Sequence, residues 1–153
     1  MKTIFTSLSP NAQADDILLS LALLAAPPLW QTGKHIARLE REFQKFLGAA
    51  YVFSFDSGRT SLFTILTSLN LEAGSEVLLQ AYTCVAVPDP VLWTGLTPVF
   101  VDIDGDTLNM SPADLEKKIT SRSKVLIIQH TFGFPANIDE LMRVAKSRGL
   151  FVI

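Results

Sequence analysis

The spacing of apolar positions divides the chain near residue 50. Ile17 to Ala26 is almost continuously apolar and ends at Pro27-Pro28, which cannot continue a helix. The run is too short to cross a bilayer, and Asp15-Asp16 stands where a signal peptide needs a basic flank. A buried or interface helix is expected, with the two acids favouring its N-terminal dipole. A second helix should open at Gly33, where Ile36, Leu39, Phe43 and Phe46-Leu47 recur at helical spacing, and close at Gly48. Met1 to Pro10 is polar and irregular, with a turn signal at Ser9-Pro10, and predicts an extended arm. Residues 1–50 thus form an arm and lead-in helices.

From Tyr51 the rhythm becomes strand, turn, helix. Strands are expected at Tyr51-Val52-Phe53-Ser54-Phe55, Glu76-Val77-Leu78-Leu79-Gln80, Thr97-Pro98-Val99-Phe100-Val101 and Val125-Leu126-Ile127-Ile128, with a fifth starting at Phe151-Val152-Ile153. Between them helical patterns run through Leu62, Ile65, Leu66 and Leu69, and through Cys84 to Trp93, where Pro88 and Pro90 shorten or bend the helix. Ser111-Pro112-Ala113-Asp114 reads as a capped helix start, and Asn137 with Glu140 repeats the logic. Short strands alternating with helices predict an α/β fold, a three-layer α/β/α arrangement around a mostly parallel sheet. The last apolar run reads as a strand without its later neighbours, so residues 51–153 are expected to be the first part of a larger, incomplete domain.

In such sheets ligands sit beyond the carboxyl ends of the strands. Those ends are the turns at 56–60, 81–84, 102–106 and 129–135. In the first, Gly58 permits a tight turn, the amides of a helix start can receive an anion, and Ser57, Arg59, Thr60 and Ser61 add donors. A phosphate is the obvious guest; the plain alternative is that Asp56 or Ser57 merely caps the helix. Tyr82 could flank a ring or simply be half-buried, and His130 could sit over a ligand, act as a base, or be structural.

Composition narrows the classes. Apolar residues make up 48% of the chain, enough for a core, and the net charge is -2 with no Lys/Arg run, so nucleic acid is not an expected partner. The single Cys84 excludes an intramolecular disulfide and a cysteine zinc cluster, and fits a reducing, cytoplasmic compartment. It has no basic flank to make it a nucleophile. Asp102-Ile103-Asp104-Gly105-Asp106 lacks the closing Glu of a calcium loop, and His35 and His130 are isolated, so no metal is expected.

Four segments in order carry a family resemblance: Phe55-Asp56-Ser57-Gly58-Arg59-Thr60-Ser61-Leu62, Ala81-Tyr82-Thr83-Cys84-Val85-Ala86, Pro98-Val99-Phe100-Val101-Asp102-Ile103-Asp104, and Gln129-His130-Thr131-Phe132-Gly133. Together they resemble the DegT/DnrJ/EryC1/StrS family of pyridoxal-phosphate-dependent sugar aminotransferases over roughly residues 30–153. The resemblance implies an aspartate-aminotransferase-like large domain, represented here by its N-terminal portion. It implies a homodimer and the cofactor pyridoxal 5'-phosphate, with Ser57, Gly58, Arg59 and Thr60 at its phosphate and Tyr82, Cys84 and His130 near its ring. It implies a keto-sugar substrate, nucleotide-linked in many relatives, and glutamate or glutamine as amino donor, in polysaccharide or secondary-metabolite biosynthesis.

Departures from the family pattern are Arg59 for the common Thr, Asp56 for Asn or Ser, and Cys84 where an aromatic side chain usually covers the ring. The resemblance places the Asp that holds the pyridine nitrogen, and the Schiff-base Lys, beyond Ile153. Lys124 and Lys146 do not match the latter, so no catalytic residue is expected in this chain, which should be inactive by itself. Two other readings keep the fold: a sugar dehydratase using the same cofactor, and a non-catalytic regulator or interaction module.

Overall fold

The computed structural model describes residues 12–31 and 33–153; the expected arm and the Ser9-Pro10 turn lie outside them. The chain divides into two compact units, residues 1–54 and 55–153.

In the first unit, helix α1 spans Ala14–Leu24. Asp16 and Gln13 close a reciprocal capping box at its start, with the Gln13 amide donating to Asp16 at 2.9 Å. A short 3-10 turn, Pro27–Gln31, follows, and the Trp30 indole N–H folds back onto the Leu23 carbonyl at 2.7 Å. α1 buries none of its residues, and Ile17, Leu18, Leu19, Leu21 and Leu24 are all exposed, so of the buried or interface helix expected, the buried alternative is corrected. Helix α2, Lys34–Leu47, ends at Gly48 in the left-handed conformation that glycine adopts without steric cost.

The expected strand at 51–55 does not form. Its polar groups turn to α2 instead of to a neighbouring strand. The Ser54 amide and hydroxyl both donate to Glu40 at 2.9 Å, and Gln44 reaches the Ala50 carbonyl at 2.6 Å. The Ser54 amide bond, then the hydroxyl bond, holds the Glu40 carboxyl below its ordinary range.

The second unit is a four-stranded, all-parallel sheet in the order β2-β1-β3-β4. The strands are β1 Glu76–Gln80, β2 Thr97–Val101, β3 Ser123–Leu126 and β4 Phe151–Val152. The helices are α3 Gly58–Ser68, α4 Pro88–Trp93, α5 Pro112–Lys118 and α6 Ile138–Arg148. The helix expected from Cys84 is thus cut to six residues, because Pro88 takes its first position and residues 85–87 form a turn. Pro98, which lacks an amide, stands on β2 at one edge of the sheet.

Side chains alternate across the sheet with the two-residue period of a strand. Leu78 and Leu126 pack on one face with Leu115 of α5 and Leu141, Val144 and Ala145 of α6. Val77, Leu79 and Val125 pack on the other with Leu66 of α3 and Val91 of α4. Both faces of β1 are therefore covered, and all five of its residues are buried. The helix caps follow the sequence signals: Ser111 accepts from the Asp114 amide, Asn137 accepts from the Glu140 amide, and Gly149 ends α6 with φ 65°.

Glu76, at the start of β1, has a side chain only 4% exposed. Its carboxylate accepts from Thr120 Oγ1 at 2.5 Å, Ser123 Oγ at 2.9 Å and Arg122 Nη2 at 2.8 Å. These bonds, the Thr120 hydroxyl foremost, hold its pKa below the ordinary value of 4.5 against the opposing effect of burial. The folded chain thus binds this proton less readily than the unfolded chain. Its contribution to stability is complete above pH 4.5 and is lost as the pH falls through the lowered folded value. Glu76→Ala should cost about 2–4 kcal/mol in denaturant unfolding at neutral pH, because the buried Ser123 hydroxyl and the Thr120 hydroxyl both lose their acceptor. Glu76→Gln should flatten the loss of stability on acidification, measured by unfolding midpoints from pH 7 down to about pH 3. An unchanged acid slope would remove Glu76 as the acid-sensitive group.

Candidate functional site

Because the strands are parallel, their carboxyl ends open on one end of the sheet. The turns that follow β1 and β3 meet there. Gln80 ends β1 and is fully buried, which aims its amide at neighbouring backbone rather than at water. Its Nε2 donates to the Tyr82 carbonyl at 2.7 Å and to Thr131 Oγ1 at 2.8 Å. Beside it, Thr83 Oγ1 donates to Gln129 Oε1 at 2.8 Å. Two side-chain bonds therefore clasp the 81–84 turn to the 129–131 turn.

A third segment joins them. Asn109, 1% exposed, accepts from the Thr131 amide at 2.8 Å and donates to the Phe134 carbonyl at 3.1 Å. Thr131 Oγ1 passes its own proton to the Leu108 carbonyl at 3.0 Å. Asn109 thus organises the loop after β3 in addition to its own turn. Leu108 and Phe132 both adopt positive φ, 57° and 52°, a conformation that side chains other than glycine and asparagine rarely take. Each is flanked by these bonds.

On this base Tyr82 and Phe132 form an edge-to-face pair, ring centres 6.2 Å apart at 63°. Both rings remain accessible, Tyr82 at 47% and Phe132 at 77%. Phe132 is the aromatic neighbour of Tyr82. Cys84 is a free, exposed thiol two residues beyond it. His130 is exposed, and its Nδ1 accepts from the Ala136 amide at 3.0 Å. That bond commits Nδ1 as an acceptor and leaves the ring proton of the neutral imidazole on Nε2. The neutral side chain therefore presents a donor to its surroundings, which counts against its reading as a base.

The 57–60 turn is built locally. Ser57, rather than Asp56, is the N-cap of α3: its Oγ accepts from the Thr60 amide at 3.2 Å and shares a proton with Thr60 Oγ1 at 2.9 Å. The Ser61 amide bonds the Ser57 carbonyl at 3.0 Å. Of the first amides of α3 this leaves those of Gly58 and Arg59 for an outside acceptor. A Cβ built on Gly58 would meet nothing within 4 Å, so the approach to these amides is open. The turn is preceded by extended chain rather than by the expected strand.

The other candidates stand apart. The Asp104 carboxylate is occupied by the Asp106 and Thr107 amides at 3.0 and 3.1 Å, as in a turn of this residue type. Lys124 is the second residue of β3 and donates to the Ser121 carbonyl, at the end of the sheet opposite His130. Lys146 lies in the last turn of α6. Sequence reasoning passed over Gln80, Gln129 and Thr131 as site residues. The one signal for Gln80 and Gln129 was an amide closing an otherwise apolar strand run, where its burial is costly unless hydrogen-bonded. No helix among the described residues is long and apolar enough to cross a membrane.

GDP-perosamine synthase of Escherichia coli O157:H7 is 35% identical over 121 residues, covering 79% of this chain and 33% of the relative. The spore coat polysaccharide biosynthesis protein SpsC of Bacillus subtilis is also 35% identical over 121 residues, with 79% and 31% covered. The chain therefore spans about a third of the length of the curated relatives it matches. Among solved structures, an aminotransferase from Psychrobacter cryohalolentis superposes with a TM-score of 0.85 at 26% identity, covering 95% of this chain and 37% of that one. NtdA from Bacillus subtilis, solved with its cofactor PMP bound, gives 0.84 at 25% identity, with 92% and 33% covered. The family model of the DegT/DnrJ/EryC1/StrS aminotransferases matches residues 13–153, and the chain belongs to that family.

Proposed function

We propose that this chain supplies the phosphate cradle and one wall of the ring pocket of an aminotransferase that uses pyridoxal 5'-phosphate and acts on a keto-sugar, nucleotide-linked as in the perosamine synthase relative. The observation that carries the reading is the start of α3, where the Gly58 and Arg59 amides lack an intrahelical acceptor and lie beside the Arg59 charge and an open approach. These groups fit a phosphate. Ser57 and Thr60 hold the turn in shape through their shared hydroxyl bond. Tyr82, with Phe132 against its edge, offers an aromatic surface for a planar ring, and Cys84 adds a small polarisable side chain. His130 would hold a proton at Nε2 toward a ligand oxygen. When bound, the cofactor supplies the electron-withdrawing ring that amino-group exchange requires. The chain's residues bind and orient it. An amino-acid donor, a homodimeric parent and a cytoplasmic setting complete the reading, the last in keeping with the free thiol of Cys84.

Titration of the ¹⁵N-labelled chain with inorganic phosphate and with pyridoxal 5'-phosphate tests it. The amides of Gly58 and Arg59 should shift with both. Arg59→Ala should weaken binding by about 1.5–3 kcal/mol, the scale of a hydrogen bond to a charged group. Gly58→Ala should keep the fold, since φ is not left-handed and the methyl enters open space, yet lower the affinity by crowding the anion. Shifts confined to other segments would refute the cradle.

A further inference from the structure

We infer that Gln80 is a positioning residue for the ring pocket, acting through a buried polar knot with Thr131 and Asn109; this deepens the function proposed above and rests on it. Gln80 is fully buried, and both hydrogen bonds of its side chain go to groups that carry the proposed ring wall. Its Nε2 fixes the peptide after Tyr82 and the hydroxyl of the residue before Phe132. The two aromatic rings that meet edge-to-face are thus anchored from beneath by the two protons of one amide.

The orientation of that amide is determined. The Tyr82 carbonyl can only accept, and Thr131 Oγ1 spends its proton on the Leu108 carbonyl. A flipped amide would set its oxygen against two acceptors. The consequence is that Gln80 Oε1 is buried with no hydrogen-bond partner among the described residues. A side chain chosen for stability alone would not leave a buried acceptor unsatisfied, because the desolvation of that group opposes folding.

Strain points the same way. Leu108 and Phe132 hold left-handed backbone on either side of the knot, and such conformations persist only where the surroundings over-determine them. Thr131 is the shared member: its hydroxyl bonds the Leu108 carbonyl, and its amide is held by Asn109 Oδ1 immediately before Phe132. Removing the Gln80 donors releases the Tyr82 peptide and the Thr131 hydroxyl together, while the 57–60 turn, whose bonds are local, keeps its shape.

The test compares the chain with Gln80→Leu, Thr131→Val and Thr131→Ser. The first readout needs no ligand: the nuclear Overhauser contact between the Tyr82 and Phe132 rings. It should be present in the parent chain and in Thr131→Ser, which restores the hydroxyl, and absent in Gln80→Leu and Thr131→Val. The second readout is binding. Pyridoxal 5'-phosphate should bind about tenfold more weakly to Gln80→Leu, the loss of roughly one to two hydrogen bonds' worth of organisation, while inorganic phosphate stays within about twofold. Should Gln80→Leu not fold, Thr131→Val, in a half-buried loop position, carries both readouts. A retained ring contact with unchanged affinity in these variants overturns the positioning role. Equal weakening toward both ligands overturns it as well, since that pattern reports general destabilisation. If inorganic phosphate leaves Gly58 and Arg59 unperturbed in the parent chain, the cradle fails, and the ring contact still decides the role of Gln80.

Discussion

The complete burial of β1 is the constraint on which the rest of the second unit depends. A strand flanked by β2 and β3 and covered by helices on both faces has no water to satisfy its polar groups. Leu78 on one face and Val77 and Leu79 on the other supply the core. Glu76 and Gln80, at its two ends, must find partners inside the protein. Glu76 recruits the α5–β3 connection through Thr120, Arg122 and Ser123, and so pins β3 beside β1. Gln80 recruits the loops at the other end. One apolar strand with polar termini therefore organises both the pairing with β3 and the loops at the carboxyl end of the sheet.

The two ends are not equivalent in how well they are satisfied. At Glu76 both carboxylate oxygens have donors, which lowers the pKa of the group despite its burial. At Gln80 the amide nitrogen is doubly used and the oxygen is left over. Positive φ at Leu108 and Phe132 adds a cost of order 1 kcal/mol each at the same end. The stable end of the sheet is thus the one with no proposed ligand, and the strained, under-satisfied end is where the accessible aromatics and His130 gather. That distribution is what is expected when local order at a binding surface is maintained at some expense in stability.

The first unit has a different character. Its helices are capped by recognisable devices, yet α1 buries nothing and α2 leaves Ile36, Leu39, Phe43 and Phe46 exposed. The apolar stripe that predicted these helices is real as a pattern.

Much of the fold was legible in the sequence because it rests on local physics. The caps at Ser111, Asn137 and Gly149 depend on groups within a few residues of one another, and the strands at β1, β2 and β3 are short apolar runs bounded by turn residues. The alternation of such runs with helices implied a parallel, doubly covered sheet, and four ordered motifs carried the family. The N-cap at Ser57, on which the proposed cradle rests, was visible for the same reason, since an N-cap and the amides beyond it are sequence neighbours. Tertiary structure alone decided the rest. Whether residues 51–55 became a strand depended on a partner, and the Ser54 amide and hydroxyl went to Glu40 instead. The Tyr82–Phe132 pair and the Gln80–Thr131 bond join residues about fifty positions apart, and no periodicity encodes them. The orientation of the His130 ring depends on one amide, that of Ala136, which donates to Nδ1. Hydrogen bonds between loops are set by how parallel strands bring their ends together in space, which a linear pattern of polar and apolar residues does not record.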